Sequence, residues 1–178
     1  MKLENILFLD IETVPLHPSF DDLSQEAQQL FADKTSYQRK ETPAADFYER
    51  AGIWAEFGKI VCVSVGFILP NGDSKLDSFY GDEKNLLIET SELLNRVDKL
   101  GFIICGHNVK NFDLPYIDKR MLINGISVPK ILPNYSIKPW ESRVLDTKEV
   151  WNFNSFTGLS SLNLVCTSLG LETSKEGE

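Results

Sequence analysis

The stretch Ile6-Leu7-Phe8-Leu9-Asp10-Ile11-Glu12-Thr13 runs four apolar residues straight into two carboxylates one residue apart. A run this apolar, ended by Pro15, predicts a strand buried on both faces. Alternation puts Asp10 and Glu12 on one face, shared with Ile6 and Phe8, roughly 6–7 Å apart. Two like charges beside a core repel, and each loses hydration. Such a pair sits at an open rim, sheds a proton, or holds a cation. Hard oxygen ligands on a rigid strand suit Mg²⁺ or Mn²⁺. The plainer alternative is a strand that ends in solvent-facing acids.

The 178 residues suffice for one domain with a substantial core, and 42% hydrophobic with 25% charged is an ordinary globular balance. No apolar run approaches the ~18 residues that span a bilayer. Met1-Lys2-Leu3-Glu4-Asn5 lacks the layout of a signal peptide. Cys62, Cys105 and Cys166 all have apolar neighbours and no knuckle spacing, which predicts buried free thiols in a reducing cytoplasm. Two histidines, His17 and His107, are too few for a His/Cys zinc site. The net charge of −8 argues against a broad basic face for non-specific nucleic-acid binding. A nuclease that meets phosphate through bound metal ions and a small local groove remains compatible with it.

Beyond the first strand, a helical excursion spans about 16–57. Phe20, Leu23, Ala27, Leu30 and Phe31 fall at helical spacing, with Asp21, Asp22 and Glu26 in the early turns. Residues 34–45 read as a loop, and Phe47, Tyr48, Ala51 and Trp54 as a second short helix. The excursion is either a wall on the substrate side or a packing appendage. Lys59 to Leu69 is a strand rich in β-branched residues, turned at Pro70-Asn71-Gly72-Asp73 into a more polar edge strand, Lys75 to Tyr80. A helix from Asp82 or Glu83 to Lys99 precedes the short buried strand Phe102-Ile103-Ile104-Cys105, a natural parallel neighbour of the first. A helix follows from Asn111 to about Asn124, then a proline-bearing loop, a short strand at Arg143 to Thr147, and a last helix from Gly158 to Leu169.

The segment Gly106-His107-Asn108-Val109-Lys110-Asn111-Phe112-Asp113-Leu114-Pro115-Tyr116-Ile117 lies where ligand sites gather, between the carboxyl end of a strand and a helix. With the two strands adjacent, Asp113 in the first helical turn faces Asp10 and Glu12, and three carboxylates converge. Taken singly, each residue has a plainer role. Asp113 suits a helix start, Asn108 a turn, Phe112 the core and His107 a structural contact.

Together the two segments resemble the first two motifs of the DEDD-type 3′–5′ exonucleases. Phe8-Leu9-Asp10-Ile11-Glu12-Thr13 is similar to the first. Gly106-His107-Asn108 through Phe112-Asp113-Leu114-Pro115-Tyr116-Ile117 is similar to the second, and its Phe-Asp-Leu-Pro-Tyr run is closest to the proofreading exonuclease of family B DNA polymerases. Lys138-Pro139-Trp140-Glu141, Leu145-Asp146-Thr147 and Leu159-Ser160-Ser161-Leu162 also resemble small stand-alone bacterial relatives. The resemblance implies an α/β, RNase H-like fold. Its mixed sheet has about five strands, the first three antiparallel and the rest parallel, with flanking helices and the first strand central. It implies two divalent cations, Mg²⁺ or Mn²⁺, roughly 4 Å apart, clamping an in-line displacement at phosphorus. Asp10, Glu12 and Asp113 are then catalytic metal ligands. Thr13, Asn108 and Phe112 lie on the nucleotide side, and His107 and Asp146 stand behind the ligands. The implied partners are single-stranded or 3′-terminal nucleic acid, DNA favoured, and replication or repair proteins. No membrane is implied, and the compartment is cytoplasmic.

The third motif of these exonucleases, a Tyr or His followed four residues later by an Asp, does not occur after Asp113. The expectation is a single domain over 1–178, truncated at its C-terminus so that the last helix of the fold is missing. The alternative is Asp146 as a stand-in ligand. Either way, weak metal binding and slow hydrolysis are expected. A non-catalytic nucleic-acid-binding module on a retired exonuclease fold is the competing reading. A haloacid-dehalogenase-type phosphatase is another, since Asp10-Ile11-Glu12-Thr13-Val14 is one residue from its Asp-x-Asp motif, but it leaves 106–117 unexplained.

Overall fold

The structure, a computed structural model, describes residues 2–132, 138, 142–153 and 160–172. Strand β1, Ile6–Pro15, runs through the carboxylates to the Pro15 at which its sequence ends it. Its two neighbours explain where the carboxylates sit. The antiparallel partner β2, Gly58–Ile68, stays paired from Phe8↔Gly66 to Pro15↔Gly58. The parallel partner β4, Ile103–Gly106, leaves β1 at Phe8↔Cys105. Asp10 and Glu12 are therefore in mid-strand, just past the point where β1 loses one of its two partners. A shift of register between Glu12 and Thr13 bends the strand there, as bulges beside functional sites do.

Strand β3, Ser74–Tyr80, pairs with β2, and β5, Val144–Asp146, pairs in parallel with β4, giving the order β3-β2-β1-β4-β5. β1 is central, and the polar β3 is an edge, as read from its sequence. This mixed sheet, three strands antiparallel and then parallel, is an RNase H-like arrangement. Helices α3, Glu83–Lys99, and α4, Asp113–Ile123, lie on one face. Leu86, Leu87, Leu94 and Val97 of α3 and Leu114, Ile117 and Met121 of α4 share a core with Leu7, Leu9, Ile11, Val63, Val65 and Ile104. Asp82 caps α3 by accepting from the Asn85 amide. By alternation, Phe8, Asp10 and Glu12 point to the opposite face, beside Gly66, Ser64 and Cys62 of β2.

The excursion has its own aromatic core. Phe31 is fully buried, with the rings of Phe57, Tyr48, Trp54 and Phe20 centred 5.2, 5.3, 5.9 and 6.0 Å away. Helix α1, Gln25–Arg39, runs six residues into the stretch that its sequence predicts as a loop. It lies on the surface and buries only Phe31 and Thr35, so its second half has almost no apolar signature. Thr35 satisfies its hydroxyl on the Phe31 carbonyl, 2.7 Å away. Asp21 and Asp22 belong to a separate 3-10 turn, Phe20–Asp22, closed by a reciprocal Ser19–Asp22 capping box. Helix α2, Ala44–Phe47, and a 3-10 segment, Tyr48–Ile53, complete the excursion.

Helix α5, Thr147–Asn152, follows β5, and α6, Leu162–Ser168, begins after Ser161, whose hydroxyl accepts from the Leu164 amide. The earlier start expected at Gly158 and the side chain of Trp140 lie outside the described residues. All three cysteines are free, but only Cys105 is buried. Cys62 is half-buried because it stands opposite Glu12 on the open face of the sheet. Among the described residues, no helix is long and apolar enough to cross a membrane.

Candidate active site

Where β4 turns away, the Ile11 amide loses the partner that a longer parallel strand would supply. Asp113 replaces it: its Oδ1 accepts from Ile11 N at 3.1 Å. Asp113 is the first residue of α4, yet its side chain does not cap its own helix. The N-cap position is Phe112, with no side-chain cap. Asp113 holds the helix-start position expected of it and adds a contact to β1, which fixes the start of α4 against the strand carrying Asp10 and Glu12.

Asp113 is only 3% exposed, and its carboxyl is pushed up to about 7. Burial is the main cause, followed by repulsion from the Asp10 carboxylate, with a smaller contribution from Asp146. The amides of Asp113 itself and of Ile11 act in the opposite direction. Asp10 and Glu12 are exposed. Asp113 thus lies close enough to Asp10 and to Asp146 for its charge to interact with each of theirs.

Asp146, 1% exposed at the end of β5, is held by backbone amides. Its Oδ1 accepts from Asn108 N and Lys148 N, both at 2.9 Å, and its Oδ2 from Lys110 N at 3.0 Å. The turn it braces includes Asn108, at a φ of +66°, a conformation Asn tolerates better than most residues. Lys148 Nζ donates to Asn108 Oδ1 at 3.2 Å. Gly106 has to lack a side chain. A Cβ there would lie 2.7 Å from the Leu9 carbonyl oxygen and 2.8 Å from Val109 Cβ. His107 ties the same turn to later segments, with Nδ1 3.0 Å from Thr147 Oγ1 and Nε2 2.9 Å from the Ser160 carbonyl oxygen.

Thr13 is half-buried, and its side chain hydrogen-bonds the Tyr116 hydroxyl, which donates to the Gly52 carbonyl at 2.8 Å. Phe112 packs its ring 5.5 Å from that of Tyr116 and lines a crevice with Ile53, Trp54, Asn111 and Pro115. Trp54 is packed edge-on against Phe31. The sequence reading missed Tyr116, which joins the excursion to α4 and β1. Its place three residues after Asp113, in the run already singled out, was the available signal. Gly58 marks the same junction, since a Cβ there would fall 2.2 Å from Tyr116 Oη.

Among the described residues, no three His, Cys, Asp or Glu side chains form a ready-made metal cage. The donor set still fits a hard divalent cation. Mg²⁺ is commonly held by one or two carboxylates together with substrate phosphates, and a cation would relieve the repulsion that raises Asp113.

A family model described as DNA polymerase family B, exonuclease domain, matches residues 48–145, more than half of the chain. The chain belongs to this exonuclease-domain family. The match includes Asn108, Phe112 and Asp113 but begins after Asp10 and Glu12, of which the fold brings Asp10 close enough to Asp113 for their charges to interact. Among solved structures, the family B DNA polymerase from the hyperthermophilic archaeon Pyrobaculum calidifontis has a similar fold, with a TM-score of 0.56 at 15% identity. The alignment covers 94% of this chain and 18% of that one. Comparison with curated proteins gave no match. Membership of the exonuclease-domain family makes a nuclease-type hydrolase the class to which the site is referred.

Proposed function

We propose that this chain is a metal-dependent 3′–5′ exonuclease domain acting on single-stranded or 3′-terminal nucleic acid, DNA favoured. The observation that carries the reading is the coupling of Asp113 to Asp10 across the junction of β1, β4 and α4. It is an acid pushed up to about 7 by its burial and, next, by the neighbouring Asp10 carboxylate, at the carboxyl end of a parallel strand. Asp10, Glu12 and Asp113 would hold two Mg²⁺ or Mn²⁺ ions, which when bound supply Lewis acidity at phosphorus and acidify a water molecule. The chain's own residues set the geometry. Ile11 N orients Asp113, Asp146 braces the 107–110 turn, and Asn108 and Phe112 border the place for the terminal nucleotide. Thr13 contributes through Tyr116. The free cysteines support a reducing cytoplasm, and association with replication or repair proteins follows from the same reading.

No Tyr or His stands four residues before an Asp anywhere after Asp113, so the fourth carboxylate and its companion are not among these 178 residues. That absence favours slow turnover, and it keeps a second reading, a nucleic-acid-binding module without catalysis. The deciding assay follows 3′-labelled single-stranded DNA with Mn²⁺ at excess protein. Slow release from the 3′ end, lost in Asp10→Ala, is expected. Release indifferent to Asp10→Ala would refute the site. Fast turnover by the wild type would refute the need for the third motif.

A further inference from the structure

The excursion carries a second feature that the carboxylate site does not use. An open depression of about 760 Å³ lies between the end of α1 and the 3-10 segment, lined by Tyr37, Gln38, Lys40, Arg50 and Ile53. Its volume is in the ~300–1,000 Å³ range of ligand-sized sites. In a chain of net charge −8, both charged residues that line it are basic, Lys40 and Arg50, and its lining includes no Asp or Glu. Both are exposed, and neither makes an ion pair among the described residues. Arg50 is already oriented, its guanidinium 5.3 Å above the Phe47 ring. Tyr37 is 93% exposed, with nothing packed on its ring. Lys40, just past α1, adopts φ +52° and ψ −110°, a strained backbone for a residue with a side chain. Ile53 lines both this depression and the crevice of Phe112, Asn111 and Pro115 at the start of α4.

We propose that this depression is a binding subsite for single-stranded polynucleotide, with Lys40 and Arg50 on phosphates and Tyr37 stacked on a base. The strand would pass over Ile53 toward Phe112 and Asp113. Two unpaired cations and an exposed aromatic are the chemistry by which single strands are held without sequence preference. A local basic depression of this kind also reconciles an acidic protein with a polyanionic ligand. The direction of the strand rests on the exonuclease reading; the binding itself does not.

The test is fluorescence anisotropy of labelled ten-nucleotide oligo-dU and oligo-rU with the full chain in EDTA, across a salt series. Lys40→Glu/Arg50→Glu is expected to weaken binding about tenfold or more and to flatten the log–log salt slope by about 1.4, two phosphates at ~0.7 each. Tyr37→Ala is expected to cost about fivefold or more. The charge-matched control Lys75→Glu/Lys99→Glu, on the edge strand and at the end of α3, should bind like the wild type. Tighter binding of one oligonucleotide assigns the sugar and supports the subsite. Absence of wild-type binding to both, track variants that bind normally, or a control that weakens binding equally would overturn it. Because no metal is present, loss of this subsite and failure of the carboxylate site are read in separate experiments.

Discussion

Asp113 is the residue on which the chemistry and the stability of this chain meet. Its folded pKa, about 7, lies above the ordinary carboxyl value of 3.8. The metal-free native state therefore keeps a proton that the unfolded chain gives up. The stabilisation that goes with that proton is complete below about pH 4 and is lost as pH rises through about 7. The shift corresponds to something on the order of 4 kcal/mol. Asp113→Asn keeps an oxygen for the Ile11 amide and removes the charge. In EDTA it should match the wild type near about pH 4 and be clearly more stable at about pH 8, as read by urea denaturation. Equal stability at both pH values would show that Asp113 is not held protonated. Asp10 and Glu12 were legible as a pair from alternation alone. The bond from Ile11 to Asp113 was not, because it depends on where β4 stops, and no local pattern marks that point.

The elements around the site are tied together by one buried ion pair. Arg120 of α4, 4% exposed, meets Glu83 at the start of α3 in a bidentate contact, Nε to Oε1 at 2.8 Å and an Nη to Oε2 at 2.5 Å. Arg120 also donates to the Ala55 carbonyl at 3.0 Å, and Glu83 accepts from Ile60 N at 2.8 Å. Helices α3 and α4, strand β2 and the end of the excursion thus share one network. Arg120→Ala leaves Glu83 charged, shielded from water and short of its partner. It should cost about 3–5 kcal/mol in chemical denaturation. A loss below about 1 kcal/mol would show the pair to be solvated. Strand β2, α3 and α4 were readable because each buries apolar residues at its own period, and the exposed β3 because the Asn71-Gly72 turn folds it back onto β2. The second half of α1 was not, because it buries little more than Phe31 and Thr35, and a polar surface helix looks like a loop in sequence. The end of β1 was marked in sequence by Pro15, and pairing with β2 maintains the strand that far.

At the scale of the molecule, an acidic chain brings carboxylates together at the one junction where the central strand changes partners, and it places unpaired cations on the excursion beside that junction. The sheet order was legible because the order of elements, a hairpin followed by helix–strand alternation, permits few topologies. The purpose of the excursion was not, because its aromatic core resembles any packing core in sequence. Its basic wall appears only when α1 and the 3-10 segment are set side by side. The central claim is that Asp10, Glu12 and Asp113 form a divalent-cation site. Titration of Mn²⁺ into the metal-free chain at about pH 8, followed by electron paramagnetic resonance, tests it directly. Saturable binding by the wild type, weakened about tenfold or more in both Asp10→Asn and Asp113→Asn, is the predicted result. The same Mn²⁺ affinity in all three proteins would contradict the claim.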